Sequence, residues 1–377
     1  MFFSSFLAIY VLTNAYIYFR GFSAVRGQGK WVIGLKILFV ALVIAFPLLH
    51  SLEDRLYGPL WDIVNVVGSF WLVAMVYFFL IVLFADIVRL VDHLVPIVPA
   101  RIRKSPRFTG TKIFVGSIAL VVLVIFLGWL NTRFIRVETV TADLAALPKI
   151  HNPTTVVFAS DFHIGPTIHK DRVETFVREI NAQNPDIILL GGDLVEGSVA
   201  GLGDIPRILA GLHAPLGVYA VLGNHEYHGG GREAVRFMES AGIKVLRNEV
   251  ITIPGIVNIV GLDDPRAQEK QESVTDLMAR RDPSLPTILL THRPVDMEKY
   301  AADGVDLMLA GHSHHGQFFP LTIITDLVYE VSYGYARVGR MQVYVTSGLG
   351  TWGPPVRVLP HPEIVRITLV SGQGNGE

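Results

Sequence analysis

Five short apolar runs, each stopping at an Asp, an Asn or a His, limit what this chain can fold into more than any other feature. Val157-Phe158-Ala159 runs into Ser160-Asp161-Phe162-His163, and Ile187 to Leu190 into Gly191-Gly192-Asp193. Val218 to Leu222 leads to Gly223-Asn224-His225-Glu226, Ile288 to Leu290 to Thr291-His292, and Leu307 to Ala310 to Gly311-His312-Ser313-His314. Continuous apolar runs of this length suit strands buried on both faces. In open α/β sheets, polar groups collect outside the carboxyl ends of such strands. The five endings are therefore expected to converge on one polar site, although Asp161 and His314 lie far apart in the chain.

The sequence between these runs has the rhythm of an α/β fold. Asp171 to Gln183 carries Val173, Phe176, Val177 and Ile180 at helical spacing, with Asp171 placed to cap the helix. Ile205 to Leu212 and Glu233 to Ser240 read as further helices, the second stopped near Gly242. Beyond them Ile243 to Leu246, Val250 to Ile253, Val257 to Val260, Thr287 to Leu290, Leu307 to Leu309, Met341 to Val345 and Ile364 to Leu369 read as strands, with one helix at Val274 to Met278. Alternating units followed by strand-rich sequence predict two packed sheets flanked by helices.

This part of the chain has an ordinary globular composition, yet the whole is 51% apolar and only 17% charged. The excess sits in the first third, where residues 2–19, 31–49, 64–84 and 113–130 each approach or exceed the ~20 apolar residues that cross a bilayer as a helix. The expected organisation is a four-span transmembrane region over 1–132, a linker with a first strand over 133–153, the α/β domain over 154–370 and a flexible tail over 371–377. Cations set the orientation. Arg20, Arg26, Lys30 and Lys36 follow the first segment, and Arg89, Arg101, Arg103, Lys104, Arg107 and Lys112 surround the loop after the third. The loop between carries Glu53, Asp54, Arg55 and Asp62 without cationic excess. Those two basic loops are expected in the cytoplasm. Arg133 and Arg136 pull the other way and are outnumbered, so the α/β domain is expected outside, on a multi-pass protein of the cell membrane.

A net charge of −1, with the basic residues flanking apolar segments, argues against nucleic acid as a partner. The chain has no cysteine, which excludes disulfides, thiolate nucleophiles and cysteine-type zinc sites. Any metal must take oxygen and nitrogen ligands. Asp, Asn and His suit hard to borderline divalent ions, and one carboxylate can bridge two of them. A pair of ions ~3.5–4 Å apart suits in-line displacement at phosphorus.

Asp161-x-His163, Gly192-Asp193, Gly223-Asn224-His225-Glu226, His292 and Gly311-His312-x-His314 resemble the full ordered motif set of the calcineurin-like metallophosphoesterases. The likeness runs from about Thr154 to the C-terminus. Gly261-Leu262-Asp263-Asp264-Pro265 and Ser347-Gly348-Leu349-Gly350-Thr351, with Pro355 and Arg357, resemble the membrane-associated bacterial branch of that family. The resemblance implies a four-layer α/β/β/α sandwich and a phosphoesterase holding two divalent ions, with Mn, Fe and Zn all acceptable. It implies one ion on Asp161, His163, Asp193 and His314, and the other on Asp193, Asn224, His292 and His312, so that Asp193 bridges. It places His225 beside the metals, facing the substrate as general acid or charge stabiliser for the leaving oxygen, and leaves Glu226 a structural role. Here Ser313 and His315 stand where the branch often has Thr and Gly. His315, His228 and Arg293 remain as possible substrate contacts. The expected substrate is a phosphate mono- or diester, with a lipid-linked one in view, and the lipid bilayer is the expected partner. Two alternatives stay open: a phosphodiesterase or pyrophosphatase acting on a nucleotide-linked lipid precursor, and a non-catalytic metal-binding scaffold.

Overall fold

A computed structural model describes residues 2–25, 29–52, 59–100, 106–144, 153–267 and 272–371. The cations Arg26, Arg101, Arg103 and Lys104, the loop residues Glu53, Asp54 and Arg55, and nearly all of the expected tail lie outside the described residues. The chain divides into two compact units, residues 1–130 with 353–356, and residues 131–352 with 357–377.

The first unit is helical: α1 (Phe2–Ala24), α2 (Lys30–Leu52), α3 (Pro59–Leu94) and α4 (Pro106–Asn131). The expectation of four spans is corrected here. Among the described residues three helices are long and apolar enough to cross a membrane, over Lys30–Leu48, Ile63–Leu94 and Gly110–Asn131. In α1, Thr13, Asn14 and the tyrosines at 10, 16 and 18 interrupt the apolar sequence, and Arg20 lies within its last turns. Part of that polar content serves packing. The buried Asn14 amide donates to the Tyr10 carbonyl at 2.9 Å and accepts from the Trp71 indole at 3.1 Å. Around it Tyr10, Ile17, Trp71, Ala74, Met75 and Val121 form the unit's core.

The second unit starts with β1 (Arg136–Leu144) and β2 (Thr154–Ala159), followed by α5 (Lys170–Asn181), β3 (Ile187–Leu190), α6 (Ile205–Leu209) and β4 (Val218–Ala220). Then come α7 (Asn224–Gly229), α8 (Gly231–Ser240), β5 (Lys244–Val245), β6 (Glu249–Ile253), β7 (Val257–Gly261), α9 (Val274–Met278) and β8 (Thr287–Leu290). The chain closes with α10 (Met297–Ala302), β9 (Leu307–Ala310), a 3-10 turn (His314–Gly316), α11 (Leu321–Val328), β10 (Gly334–Val338), β11 (Met341–Val345) and β12 (Glu363–Ser371).

Two six-stranded sheets result, in the orders β1-β12-β2-β3-β4-β5 and β10-β11-β9-β8-β7-β6. In the first, β2, β3, β4 and β5 are parallel; in the second, β7, β8, β9 and β11 are. Successive side chains on a strand face opposite ways, and the packing follows that period. Val156 and Phe158 of β2 meet Ile288, Leu290 and Leu309 of the other sheet in the central layer. Val157 and Ala159 face out onto Val173, Phe176 and Ile180 of α5, while α9 and α10 cover the far face of the second sheet through Leu277, Met278 and Met297. These four layers, helix, sheet, sheet and helix, bring the carboxyl ends of β2, β3, β4, β8 and β9 to one edge of the sandwich.

Some elements were not evident in the sequence. β10 is an edge strand whose residues are half-buried or exposed in alternation, and it carries no apolar run. α11 buries Thr322 and turns its apolar residues outward, the reverse of the pattern by which a helix is read. α5 begins with His169, not Asp171, at its N-cap.

Candidate metal centre

The residues that follow the five strands turn sharply. Asp161, His163, Asp193, His312 and His314 all have positive φ, between 48° and 70°. Side chains other than Gly rarely occupy that left-handed region, and strain of this kind gathers at functional sites. The backbone holds it in place: Asp161 N–H donates to Gly192 O at 3.0 Å, His163 N–H to Asp193 O at 3.0 Å and Gly311 N–H to His292 O at 3.0 Å. Glycine makes the closeness possible, since a Cβ on Gly223 would strike Asp193 and one on Gly311 would strike Asp161 and Ser160.

Two groups of ligand-type atoms form. Asp161, His163 and His314 place theirs within 4.8 Å of one another, and so do Asp193, His292 and His312. Asp193 reaches both groups. Its Oδ2 lies 3.1 Å from His292 Nε2 and 3.9 Å from His163 Nε2. His163, Asp193 and His225 make a third such group. Asn224 opens α7 at the same edge and is buried. The eight residues expected at the metals and at the leaving oxygen are thus together.

The donor set fits divalent cations. Asn224 Oδ1 and His314 Nδ1 are buried with no hydrogen-bond partner, which is costly for a group without a role. Imidazole nitrogens also face each other, His163 Nε2 lying 3.0 Å from His314 Nε2 and His312 Nδ1 3.1 Å from His292 Nε2. A cation between such lone pairs resolves the conflict. His292 is oriented for that task, because its Nδ1 donates to Gly191 O at 2.9 Å and turns Nε2 toward Asp193 and His312.

Charge is unevenly distributed. Burial, with the neighbouring His292, lowers His312 to about 3, and burial together with His163 takes His314 well below the usual histidine value, leaving both neutral. Burial also works against charge on His292, but Asp193 outweighs it and the imidazole rises to about 10. His225 behaves similarly. Burial lowers it, the hydrogen bond and charge of Glu196 raise it further, and the result is about 9.

Glu196 is the residue that sequence reasoning missed. Its Oε2 pairs with His163 Nδ1, and its Oε1 lies 2.9 Å from His225 Nδ1. Burial would raise its carboxyl, but His163 and His225 hold it at about 2. One anion therefore orients two imidazoles with different tasks. Its signal was its place in Gly192-Asp193-Leu194-Val195-Glu196, three residues past an expected ligand. Glu226 is buried and accepts from the backbone N–H groups of Asp193, Val195 and Gly223, fastening the β3 and β4 turns together.

The remaining polar positions are less central. His228 stands edge-on to His225, with ring centroids 5.5 Å apart. Arg293 is engaged by Asp264 at 2.6 Å. His315 turns away from the ligands and stacks on Tyr333, centroids 4.7 Å apart and rings within 7° of parallel.

Residues 154–316 match the profile of the calcineurin-like phosphoesterases. An uncharacterized metallophosphoesterase of Aquifex aeolicus is 37% identical over 252 residues, which are 65% of this chain and 95% of that relative. The chain belongs to the calcineurin-like phosphoesterase family. An uncharacterized metallophosphoesterase of Helicobacter pylori is 34% identical over 229 residues, 59% of this chain, and the chain spans only 62% of that relative's length. Another, from Campylobacter jejuni, is 26% identical over 96% of both chains. This phosphoesterase is a metal-dependent hydrolase, carrying apolar helices consistent with membrane association.

Proposed function

We propose that this phosphoesterase hydrolyses a phosphate mono- or diester carried at a membrane, from a site outside the cytoplasm. The observation that carries the chemistry is Asp193, whose carboxylate is shared by two groups of ligand atoms. In this reading Asp161, His163, Asp193 and His314 hold one ion, and Asp193, Asn224, His292 and His312 the other. Two divalent ions held there, Mn, Fe or Zn, would supply Lewis acidity toward water and the phosphate oxygens. His225 Nε2 faces the same space, 4.0 Å from Asp193 Oδ2, while Glu196 engages its other nitrogen. Glu196 at Nδ1 favours the protonated imidazole, so His225 is placed to give a proton to the leaving oxygen. The intact ligand and acid set speaks against a scaffold that has lost catalysis. We also place the protein in the membrane-associated branch.

Orientation follows from three spans as it did from four. With Arg20 and Lys30 on the cytoplasmic side before α2 and the cationic loop before α4 on the same side, α4 delivers the catalytic unit outside. That disfavours a cytoplasmic nucleotide-linked lipid precursor. The test has two parts. Full-length protein loaded with Mn, Fe or Zn should hydrolyse bis(p-nitrophenyl) phosphate and release phosphate or headgroup from lipid phosphoesters in vesicles. A reporter active only outside the cytoplasm, fused after Glu377, should be on. Inactivity with all three metals would refute the assignment of this site.

A further inference from the structure

Helix α11 is built inside out. In α5 the buried residues are the apolar Val173, Phe176, Val177 and Ile180, whereas in α11 the one buried residue is Thr322. Ile323, Ile324, Leu327 and Val328 are 50%, 53%, 82% and 67% exposed. At spacings of one and four residues they share a single face. Phe319, just before the helix, and Leu359, on a neighbouring loop, are also exposed, and both line a cavity with Thr322 and Asp326 of the helix. A contiguous apolar surface of this kind marks an interaction site.

The helix is also tied to the metal centre. Thr322 and Asp326 line a cavity of about 390 Å³ together with His315, Phe319 and Pro360. His315 directly follows the expected ligand His314, and the Tyr329 ring, at the end of α11, stands edge-on to His312 at 6.3 Å. Thr322 and Asp326 thus line the cavity beside His315, the C-terminal end of the helix approaches His312, and its apolar face is turned to the surroundings.

What covers that face follows from where the chain leaves the membrane. The third membrane-length helix ends at Asn131, and five residues later β1 begins, a link that spans at most ~18 Å when extended. The Asn131 side chain donates to Pro360 O at 2.8 Å and to Arg357 O at 3.0 Å. Pro360 is in turn part of the cavity that Thr322 and Phe319 line. The exposed apolar face, the cavity beside His315 and the point where the chain enters the catalytic unit thus lie on one side of that unit. We infer that α11 seats its Ile323, Ile324, Leu327 and Val328 face in the lipid surface, holding the metal centre at headgroup depth. The partner is the bilayer itself. For the substrate this means a phosphate ester at the level of the headgroups, a consequence that rests on the proposed phosphoesterase activity.

The chain contains no cysteine, so Leu327→Cys in the full-length protein can carry one NBD fluorophore without any other change. Lys244→Cys is the control, because β5 lies at the opposite edge of its sheet from β1. Both variants are reconstituted into phosphatidylcholine–phosphatidylglycerol vesicles containing nitroxide-labelled lipid, and hydrolysis of bis(p-nitrophenyl) phosphate verifies that each is folded. The label at 327 should shift to the blue and be quenched several-fold more than the label at 244. Equal quenching at both positions would overturn the inference, and so would a blue shift without lipid quenching, the mark of a second protein copy over the face. In the second arm, Leu327→Glu should keep soluble-diester hydrolysis within twofold while losing about tenfold on phosphate esters in vesicles; equal rates on both would count against docking. If the 327 label is quenched but the wild type cleaves no vesicle-borne phosphate, α11 docks and only the lipid-substrate reading falls.

Discussion

Two buried asparagines, one in each unit, are treated in opposite ways. In the helical unit Asn14 is buried and satisfied, its amide bonded to the Tyr10 carbonyl, the Trp71 indole and the Met75 sulfur. In the catalytic unit Asn224 is just as buried, but its Oδ1 has no partner. Both residues are asparagines taken out of water. One is finished by its protein contacts and holds helices together; the other is left with an open lone pair at a place where carboxylates and imidazoles crowd. Burial alone does not mark function; what sets Asn224 apart is unmet hydrogen-bonding capacity amid a cluster of ligand-type side chains.

The comparison can be broken most sharply at Asp193. Asp193→Asn should abolish hydrolysis of bis(p-nitrophenyl) phosphate and reduce bound metal by elemental analysis, because the carboxylate shared by both groups loses its charge. Chelation should have the same effect on the wild type and be reversed by adding divalent metal, while helicity measured by circular dichroism persists. A smaller effect is expected at His225. His225→Ala should lower kcat by ~10²–10⁴-fold with metal content near that of the wild type, as fits a proton donor that is not a ligand. Metal loss as complete as in Asp193→Asn would overturn that division of roles.

Glu196→Gln should cost ~10–100-fold in activity or metal affinity, the range for a group that orients ligands without touching the metal. Because Glu196 orients both His163 and His225, that variant should perturb metal binding and turnover together, where His225→Ala perturbs turnover alone. The smallest effect on catalysis belongs to the helical unit. Asn14→Ala leaves the Trp71 N–H unpaired, which should cost ~1–3 kcal/mol in the stability of that unit, read by thermal unfolding in detergent. Hydrolysis of the soluble diester should not change. A fall in kcat there would mean that the two kinds of asparagine are not separable.

Much of the site could be read in the residues because each donor directly follows a buried strand. Asp161, Asp193, His292 and His312 carry the signal twice, in their chemistry and in the apolar run before them. Glu196 carries neither, since it follows Leu194 and Val195 in a loop and acts through two imidazoles that are distant in sequence. The helix α1 misled for a related reason. Its composition is apolar enough to suggest a span, but Asn14 and the tyrosines interrupt it. α11 was overlooked because helix reading depends on apolar residues turning inward, and here they turn outward.

The sequence by itself determined which atoms could ligate, that cysteine chemistry is absent, and that part of the chain is too apolar for water. These are properties of residue types and of order along a strand, and no packing can change them. Tertiary structure decided the rest. It placed five strand ends from two sheets at one edge, bent Asp161, His163, Asp193, His312 and His314 into left-handed backbone, and brought Glu196 between two rings. Such arrangements depend on contacts between residues far apart in the chain, where a distance of about 3 Å decides whether a carboxylate orients a histidine or merely lies near it.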